Sequence, residues 1–222
     1  MVDSGVAAAV LGDLPDERSF RVRSRGVLTA VEACLAADVA HHGTAVASIL
    51  RSLVPEAEIT SVRVVDDDGR GSATALKAAL EFCVRRGFDV VNLSLGTRRR
   101  EVILDLYELV DQAAVAGVIC VAAADNSGLP DYPSACTSLI AVDRLDDPDP
   151  YALRYRAGHR VAFLARGHAV EVQAPDGSRR RVSGASFACP HVAAFAARLR
   201  AARPRILPFE VKTMLHALSR PA

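Results

Sequence analysis

Two stretches of the sequence, Phe88-Asp-Val-Val-Asn-Leu-Ser-Leu95 and Val118-Ile-Cys-Val-Ala-Ala123, have the largely apolar character of buried β-strands. Between them, the segment from Glu101 to Ala116 has apolar residues at helical spacing and is followed by Gly117, a typical residue after a helix. Upstream, the alternating and β-branched segment from Ile59 to Val65 predicts another strand. Strands separated by helical segments indicate crossover connections, which join parallel strands.

The segments around this block extend the same pattern. A helix between the first two strands begins after Ser72, a good N-cap residue, and ends at Gly87. Two more helices are predicted near the end of the chain, Ser186 to Arg200 and Pro208 to Leu218, and a surface loop is predicted from Asp143 to Pro150. We therefore expect an α/β fold, a three-layer, doubly wound and mainly parallel sheet with helices on both faces. In such sheets, functional sites form at the carboxyl ends of the strands.

Charge, length and hydropathy exclude several classes of function. The 222 residues contain 27 Lys and Arg against 26 Asp and Glu, a net charge of +1, which argues against a nucleic-acid partner. This length predicts a single domain over residues 1–222. The apolar run from Ala113 to Ala124 is shorter than the roughly 17–25 residues of a membrane-spanning helix, so we expect no membrane partner. The start Met1-Val-Asp-Ser-Gly5 has no basic residues followed by an apolar run, so a cytoplasmic location is expected.

The cysteines are odd in number and show no Cys-x-x-Cys spacing, which argues against a disulfide framework and a zinc site. We expect no metal and no cofactor. The five cysteines are Cys34, Cys83, Cys120, Cys136 and Cys189.

Three short motifs place reactive side chains where a strand or loop meets a helix. They are Val2-Asp3-Ser4-Gly5, His42-Gly43-Thr44 and Gly184-Ala185-Ser186. Acyl transfer by a serine needs a hydroxyl nucleophile, an imidazole that accepts its proton and a carboxylate that orients the imidazole. Asp3, His42 and Ser186 supply these three groups. Ser186 also opens a predicted helix, whose free backbone N–H groups can stabilise an oxyanion.

These motifs resemble those of the subtilisin-like serine peptidases, the subtilases, and they follow the family's order along the chain. Val90-Val-Asn-Leu-Ser-Leu-Gly96 is similar to the family's substrate-lining strand, and Val121-Ala-Ala-Ala-Asp-Asn126 to the segment that carries its oxyanion-hole asparagine. The resemblance implies a serine endopeptidase with Ser186 as nucleophile, His42 as general base, Asp3 as orienting carboxylate and Asn126 as oxyanion donor. It implies no cofactor.

The resemblance also implies where a substrate binds. An extended peptide is expected to pair with the chain near Gly71 and along Ser94, Leu95 and Gly96, which gives main-chain hydrogen bonds with little sequence selectivity. Asp125 and Asp131 occupy positions that line or floor the family's specificity pocket and are frequently glycine there. One hypothesis is therefore cleavage after a basic residue, with Asp131 favoured over Asp125. The alternative is that both are solvated loop aspartates.

The chain also departs from the family pattern. Asp3 is the third residue, so the first central strand is expected to be truncated, and either a partner chain or tight local packing has to support it. No pro-segment is expected before the domain. The short connection Leu53-Val-Pro-Glu56 offers one carboxylate, too few for the six to eight oxygen ligands of calcium, so we expect no calcium there.

These departures leave a second function open. The main hypothesis is a serine endopeptidase acting on a peptide or protein, with a dedicated precursor peptide as one form of substrate. The alternative is a weak or inactive subtilase-fold protein that binds peptides or docks in an assembly. For three further residues we expect no catalytic role. His41 is interpreted as a neighbour of the base, His191 as a structural helix residue and Cys189 as a packing residue.

Overall fold

The computed structural model describes residues 1–8, 18–25, 28–38, 40–65 and 68–222. Its strands are β1 (Val2–Asp3), β2 (Ser19–Arg25), β3 (Leu28–Ala33), β4 (Ser61–Arg63), β5 (Val90–Leu93), β6 (Ile119–Ala123), β7 (Ile140–Leu145), β8 (Leu153–Tyr155), β9 (Phe163–Arg166), β10 (Val170–Gln173), β11 (Arg179–Val182) and β12 (Arg220–Pro221). Its α-helices are α1 (His42–Leu53), α2 (Ala73–Arg86), α3 (Ile103–Val115), α4 (Ala185–Ala202) and α5 (Pro208–Leu218).

Most of the described strands form one large sheet in the order β12-β8-β9-β7-β6-β5-β1-β4-β2-β3. Its central pairs are parallel, and β1 lies between β4 and β5, with Val2 opposite both Val62 and Leu93. From β1 the chain forms β2, β3 and β4 on one side of β1 and then crosses to β5 and β6 on the other side, which makes the carboxyl end of β1 a topological switch point.

Helices cover both faces of the sheet because its inner strands are apolar on both sides. In β6, Ile119 and Val121 join a core cluster with Val192 of α4, while Cys120 joins a second cluster with Leu106 of α3. The helices α1, α4 and α5 contribute to the first cluster, and α2 and α3 to the second. This arrangement explains why the predicted strand at Val118 is a continuous apolar run rather than an alternating one.

The predicted ends of α2 and α5 agree with their bounds in the structure. The Oγ atom of Ser72 accepts a hydrogen bond from the Ala75 N–H at 3.0 Å, and Gly87 ends α2 in the left-handed conformation, with φ of 66°. The predicted α/β architecture is confirmed. The strands predicted at Ile59 and Phe88 are present with shorter bounds, as β4 and β5.

The loop predicted from Asp143 to Pro150 is wrong in its first part, because β7 continues through Leu145. Asp143 pairs with Leu164 and Leu145 with Arg166, so a neighbouring strand holds this polar segment extended. The antiparallel hairpins β2–β3 and β10–β11 were also not predicted. None of the helices in the described residues is both long enough and apolar enough to cross a membrane.

Candidate active site

The carboxylate of Asp3 lies at the centre of the molecule, at the carboxyl end of β1. The Asp3 side chain is 2% exposed, and its Oδ1 atom accepts a hydrogen bond from the Ser4 N–H at 2.7 Å. The strand and α1 approach closely here, since a Cβ atom at Gly43 would lie 2.0 Å from the Gly5 carbonyl oxygen. Only glycine at position 43 allows this approach.

His42, the first residue of α1, links Asp3 to the amino end of α4. Its Nδ1 atom lies 2.7 Å from Asp3 Oδ1, and its Nε2 atom lies 2.9 Å from the Oγ atom of Ser186. With Asp3 ionised and His42 neutral, Nδ1 carries the proton and donates it to Asp3, which leaves Nε2 to accept from the serine hydroxyl. The structure thus brings together three side chains that are 39 and 144 residues apart in sequence.

Opposing effects act on the protonation of His42. Burial lowers the pKa of the imidazole, but the charge of Asp3 and its hydrogen bond to Nδ1 raise it, and the charge of Asp38 adds to the rise. Arg180 opposes them with its positive charge. The net result is a pKa above the ordinary 6.5, because the acidic neighbours outweigh burial and Arg180 together.

Ser186 is the second residue of α4, and its Oγ atom faces the imidazole of His42. The first backbone N–H groups of a helix have no partner within the helix, and the positive end of the helix dipole lies there too. The ring of Phe187 packs against His42, with ring centroids 5.0 Å apart. Its ring helps to hold the imidazole beside the serine.

Asn126 follows β6 and reaches the same end of α4. Its Oδ1 atom accepts a hydrogen bond from the Ala185 N–H at 2.9 Å, which leaves the side-chain NH2 group to donate to a ligand. The side chain is therefore anchored by its oxygen beside the residue that precedes Ser186. Its role as an oxyanion donor stays a prediction.

The expected substrate-binding segment follows β5. Ser94 is buried, and its Oγ atom accepts a hydrogen bond from the Asn92 side-chain NH2 at 2.7 Å, while Leu95 is half-buried and Gly96 is exposed. Gly71 is also exposed, and its backbone forms an isolated bridge with Val65.

Asp131 lies under this segment. Thr97 and Tyr132 exchange backbone hydrogen bonds of 2.7 and 2.9 Å, which hold the segments after Gly96 and after Asp131 side by side. The Asp131 side chain is buried and accepts a hydrogen bond from the Ser134 hydroxyl. Burial raises the pKa of the Asp131 carboxyl above its usual range, although the Ser134 hydrogen bond opposes the rise.

Asp125 has a different environment. Its carboxylate forms an ion pair with Arg98 at 2.6 Å and accepts the Ser127 N–H at 2.7 Å. The Ser127 hydrogen bonds, followed by the charge of Arg98, lower the pKa of the Asp125 carboxyl. The hypothesis that Asp125 offers a carboxylate to a basic substrate stays a prediction, and Arg98 would compete with such a substrate for this carboxylate.

His191 and Cys189 are packed into α4 rather than facing the triad. His191 shares a hydrogen bond of 2.9 Å between Nδ1 and the Phe187 carbonyl oxygen, and burial lowers its pKa to about 4. The Cys189 thiol is fully buried, and burial raises its pKa far above the ordinary value. Both therefore have the properties of structural residues.

Sequence reasoning missed Asp38. This residue lies between β3 and α1, and its carboxylate accepts hydrogen bonds from the Ser4 hydroxyl at 2.6 Å and from the Thr44 N–H at 2.7 Å. An aspartate four residues before His42, close to a helix start, is a signal that could have identified it.

The connection after α1 does not fit a calcium ion. One Nη atom of Arg51 donates to the Pro55 and Ala57 carbonyl oxygens at 2.6 and 3.3 Å, and Arg198 donates to the Leu53 carbonyl oxygen at 2.7 Å. Backbone oxygens that a cation would need are thus already bound to two guanidinium groups, whose charge would repel it.

A cavity of about 630 Å³ lies at the opposite end of the strands from the triad. Met1, Thr60, Asn92 and Arg198 are among the residues that line it.

The expectation that a partner chain completes the first strand stays a prediction.

Comparison with known proteins agrees with this geometry. The model of the Subtilase family matches residues 7–220. The chain belongs to the subtilase family. By family it is thus a subtilisin-like serine peptidase of the endopeptidase type.

Among its relatives, this subtilase is 30% identical to Subtilisin DY of Bacillus licheniformis over 78% of this chain and 68% of the relative. It is 32% identical to Subtilisin BL of Lederbergia lenta over 73% of this chain and 64% of the relative. It spans only 51% of Subtilisin E from Bacillus subtilis (strain 168), at 29% identity.

The solved structure of an S41 psychrophilic protease matches with a TM-score of 0.78 and 27% identity, covering 97% of this subtilase and 81% of that chain. A cold-adapted subtilisin-like serine proteinase matches with a TM-score of 0.76 and 22% identity, over 97% of this chain and 79% of the other, which supports the fold alone.

Proposed function

We propose that this subtilase cleaves peptide bonds through an acyl-enzyme formed on Ser186. The observation that supports the proposal is the continuous hydrogen-bonded path from Asp3 Oδ1 through His42 to Ser186 Oγ, with links of 2.7 and 2.9 Å. Both lengths are normal for strong hydrogen bonds between side chains. A nucleophile, a base and an orienting carboxylate are the parts that serine acyl transfer needs.

The reaction proceeds in two halves. Ser186 Oγ attacks the carbonyl carbon of the scissile bond while His42 Nε2 takes the hydroxyl proton, which forms a tetrahedral oxyanion. The intermediate collapses, the C–N bond breaks, and His42 gives its proton to the leaving amine. Water then attacks the acyl-enzyme, with His42 again as base and then acid, and releases the free carboxylate and Ser186. Throughout, Asp3 holds the imidazole tautomer and stabilises its cation.

Asn126 and the Ser186 backbone N–H stabilise the oxyanion in this proposal. Support comes from the hydrogen bond that the Ala185 N–H donates to the Asn126 side-chain oxygen. This bond fixes the amide and leaves its NH2 group to donate to the oxyanion. A donor fixed in advance costs little reorganisation when negative charge develops.

The substrate is an extended peptide, paired along Ser94 to Gly96 and near Gly71. We further propose that Asp131 gives a preference for Arg or Lys before the scissile bond. Its support is the buried carboxylate beneath Gly96, next to the proposed binding segment. A guanidinium or ammonium group reaching this carboxylate would gain a charge-assisted hydrogen bond.

An active-site-directed fluorophosphonate probe tests the function. Labelling of the wild type that disappears in Ser186→Ala requires an activated serine, and cleavage of a casein or peptide-library substrate should be lost in the same variant. The matched control is Ser183→Ala, a nearby exposed serine whose loss should leave labelling unchanged. The alternative, an inactive peptide-binding protein, predicts no labelling of the wild type.

A further inference from the structure

Asp3 and His42 are held by different elements, the end of β1 and the start of α1. Their relative position therefore depends on how firmly these two elements are tied together. The side chain of Asp38 is placed between them. Its Oδ1 atom accepts the Ser4 hydroxyl at 2.6 Å and the Ala40 N–H at 3.2 Å, and its Oδ2 atom accepts the Thr44 N–H at 2.7 Å.

Ser4 extends this connection to Asp3. The Ser4 Oγ atom accepts the Gly43 N–H at 2.9 Å, and the Ser4 N–H donates to Asp3 Oδ1 at 2.7 Å. The same Oδ1 atom receives His42 Nδ1, so the hydrogen bonds run from Asp38 through Ser4 to the Asp3–His42 pair. On the other side Asp38 reaches Thr44, two residues after His42, so the network closes into a ring.

The amino end of α1 needs such a partner. His41, at the N-cap position, makes no side-chain cap hydrogen bond. The first N–H groups of a helix lack acceptors within the helix, and those of Gly43 and Thr44 are instead bound by Ser4 and Asp38. A carboxylate near a helix amino end is also favoured by the helix dipole.

We propose that Asp38 is a positioning residue for the Asp3–His42 pair, fixing the start of α1 against the end of β1 through Ser4. The proposal rests on the proposed function of the triad. Asp38 itself does not touch the reacting atoms. It acts by keeping His42 Nδ1 on Asp3 Oδ1 while Nε2 faces the serine.

Kinetics of Asp38→Asn provide the test. The asparagine keeps the size of the side chain but loses its charge, and because its NH2 group cannot accept a hydrogen bond, either Ser4 or Thr44 loses its acceptor. Because misplacement of a catalytic group by about 1 Å can cost about 100-fold, kcat should fall by about 10- to 100-fold. KM should stay within about threefold of the wild type, since the peptide-binding segments are untouched. Asp105→Asn, which removes a surface carboxylate paired with Lys77, is the matched control.

Two readouts separate positioning from a simple loss of stability. The acidic limb of the kcat/KM profile should move to lower pH in Asp38→Asn, because one negative charge near His42 is lost while Asp3 and Arg180 remain. In an Asp3→Ala background, Asp38→Asn should reduce kcat by less than about twofold, because the pair that it positions is already broken.

Several results would overturn the proposal. They are an unchanged kcat with an unchanged pH profile in Asp38→Asn, and an equal loss of kcat with and without Asp3. If Asp38→Asn does not fold, Ser4→Ala decides, since it removes the hydrogen bonds of the Ser4 hydroxyl to Asp38 and Gly43 but keeps the Ser4 N–H bond to Asp3. A fall in kcat that disappears in the Asp3→Ala background supports the proposal, and a wild-type kcat refutes it. An unlabelled wild type in the fluorophosphonate assay refutes the triad function itself, whereas a labelled wild type with unaffected variants refutes only the role of Asp38.

Discussion

Gly96 lies so close to Asp131 that a Cβ atom at position 96 would fall 2.1 Å from Asp131 Oδ2. No side chain can occupy that position without displacing the carboxylate. Because residue 96 has no side chain, the segment after β5 can lie directly over the buried carboxylate of Asp131.

Asp131→Asn should remove the preference for basic residues. A charge-assisted hydrogen bond is worth roughly 1.5–3 kcal/mol, so kcat/KM for peptides with Arg before the cut should fall by about 10- to 100-fold relative to Leu peptides. A peptide library with all residues at that position measures the change. Asp125→Asn is the control and should leave the profile unaltered, because Arg98 already pairs that carboxylate. A wild type that prefers Leu or Phe would refute the role of Asp131.

The preference for a basic residue should also weaken in acid. Burial raises the pKa of Asp131, so its charge is lost at a higher pH than that of an ordinary aspartate. The ratio of kcat/KM for Arg and Leu peptides, measured at several pH values, should fall as pH decreases while both substrates lose activity with His42. A ratio that stays constant down to pH 4 would show that Asp131 is not the source of the preference.

Asn126→Ala should slow turnover by about 100- to 1,000-fold with little change in KM, since an oxyanion donor acts mainly in the transition state. Asn126→Asp separates this role from local packing, because aspartate keeps an oxygen for the Ala185 N–H but has no NH2 group. Both variants should lose kcat, while Ser127→Ala next to them should not. Wild-type kcat and KM in Asn126→Ala would contradict the assignment.

The kcat/KM profile should have an acidic limb with a midpoint above pH 6.5. His42 must be neutral to accept the Ser186 proton. Burial lowers its pKa, but Asp3 and Asp38 together raise it above 6.5. Activity is therefore lost as pH falls through this raised value. Asp3→Asn should lower the midpoint as well as the rate. A midpoint well below 6.5 in the wild type would show that burial dominates instead.

Removing calcium with a chelator should leave Tm unchanged, whereas Arg51→Met should lower it. The Arg51 guanidinium binds two carbonyl oxygens after α1, and hydrogen bonds to charged groups contribute roughly 1.5–3 kcal/mol to the free energy of unfolding. Thermal unfolding with and without EGTA, in the Ser186→Ala background to prevent self-digestion, measures both effects. Arg85→Met, which removes an exposed pair with Glu81, is the control. A large fall of Tm in EGTA would contradict the prediction.

The parts of the fold that follow local rules could be predicted from the sequence. The ends of α2 depend on Ser72 and Gly87, and the buried strand β6 on an unbroken apolar run. Asp3, His42 and Ser186 were found because each lies in a short motif at the edge of a helix or strand. By contrast, β11 contains Arg179 to Arg181 and is extended only because β10 pairs with it.

The same distinction explains which features of the site could not be predicted. Asp38 lies shortly before a helix start, which marks it locally as a possible cap, but its bond to Ser4 joins residues 34 apart in sequence and no local pattern reveals that. The resemblance favours Asp131 over Asp125, but the Arg98 ion pair and the depth of burial that distinguish the two carboxylates are visible only in the structure. Contacts between distant segments, rather than residue types, decide these cases.

The β10–β11 hairpin has a consequence for the lifetime of the enzyme. Arg179, Arg180 and Arg181 pair with Gln173, Val172 and Glu171, so their backbone is held in a ladder although their side chains are exposed. A protease that cuts after basic residues would find a target here, but this segment must leave its partner strand before it can enter an active site. Cleavage at this site would then be limited by the rate at which the hairpin opens, and a more stable hairpin would slow it.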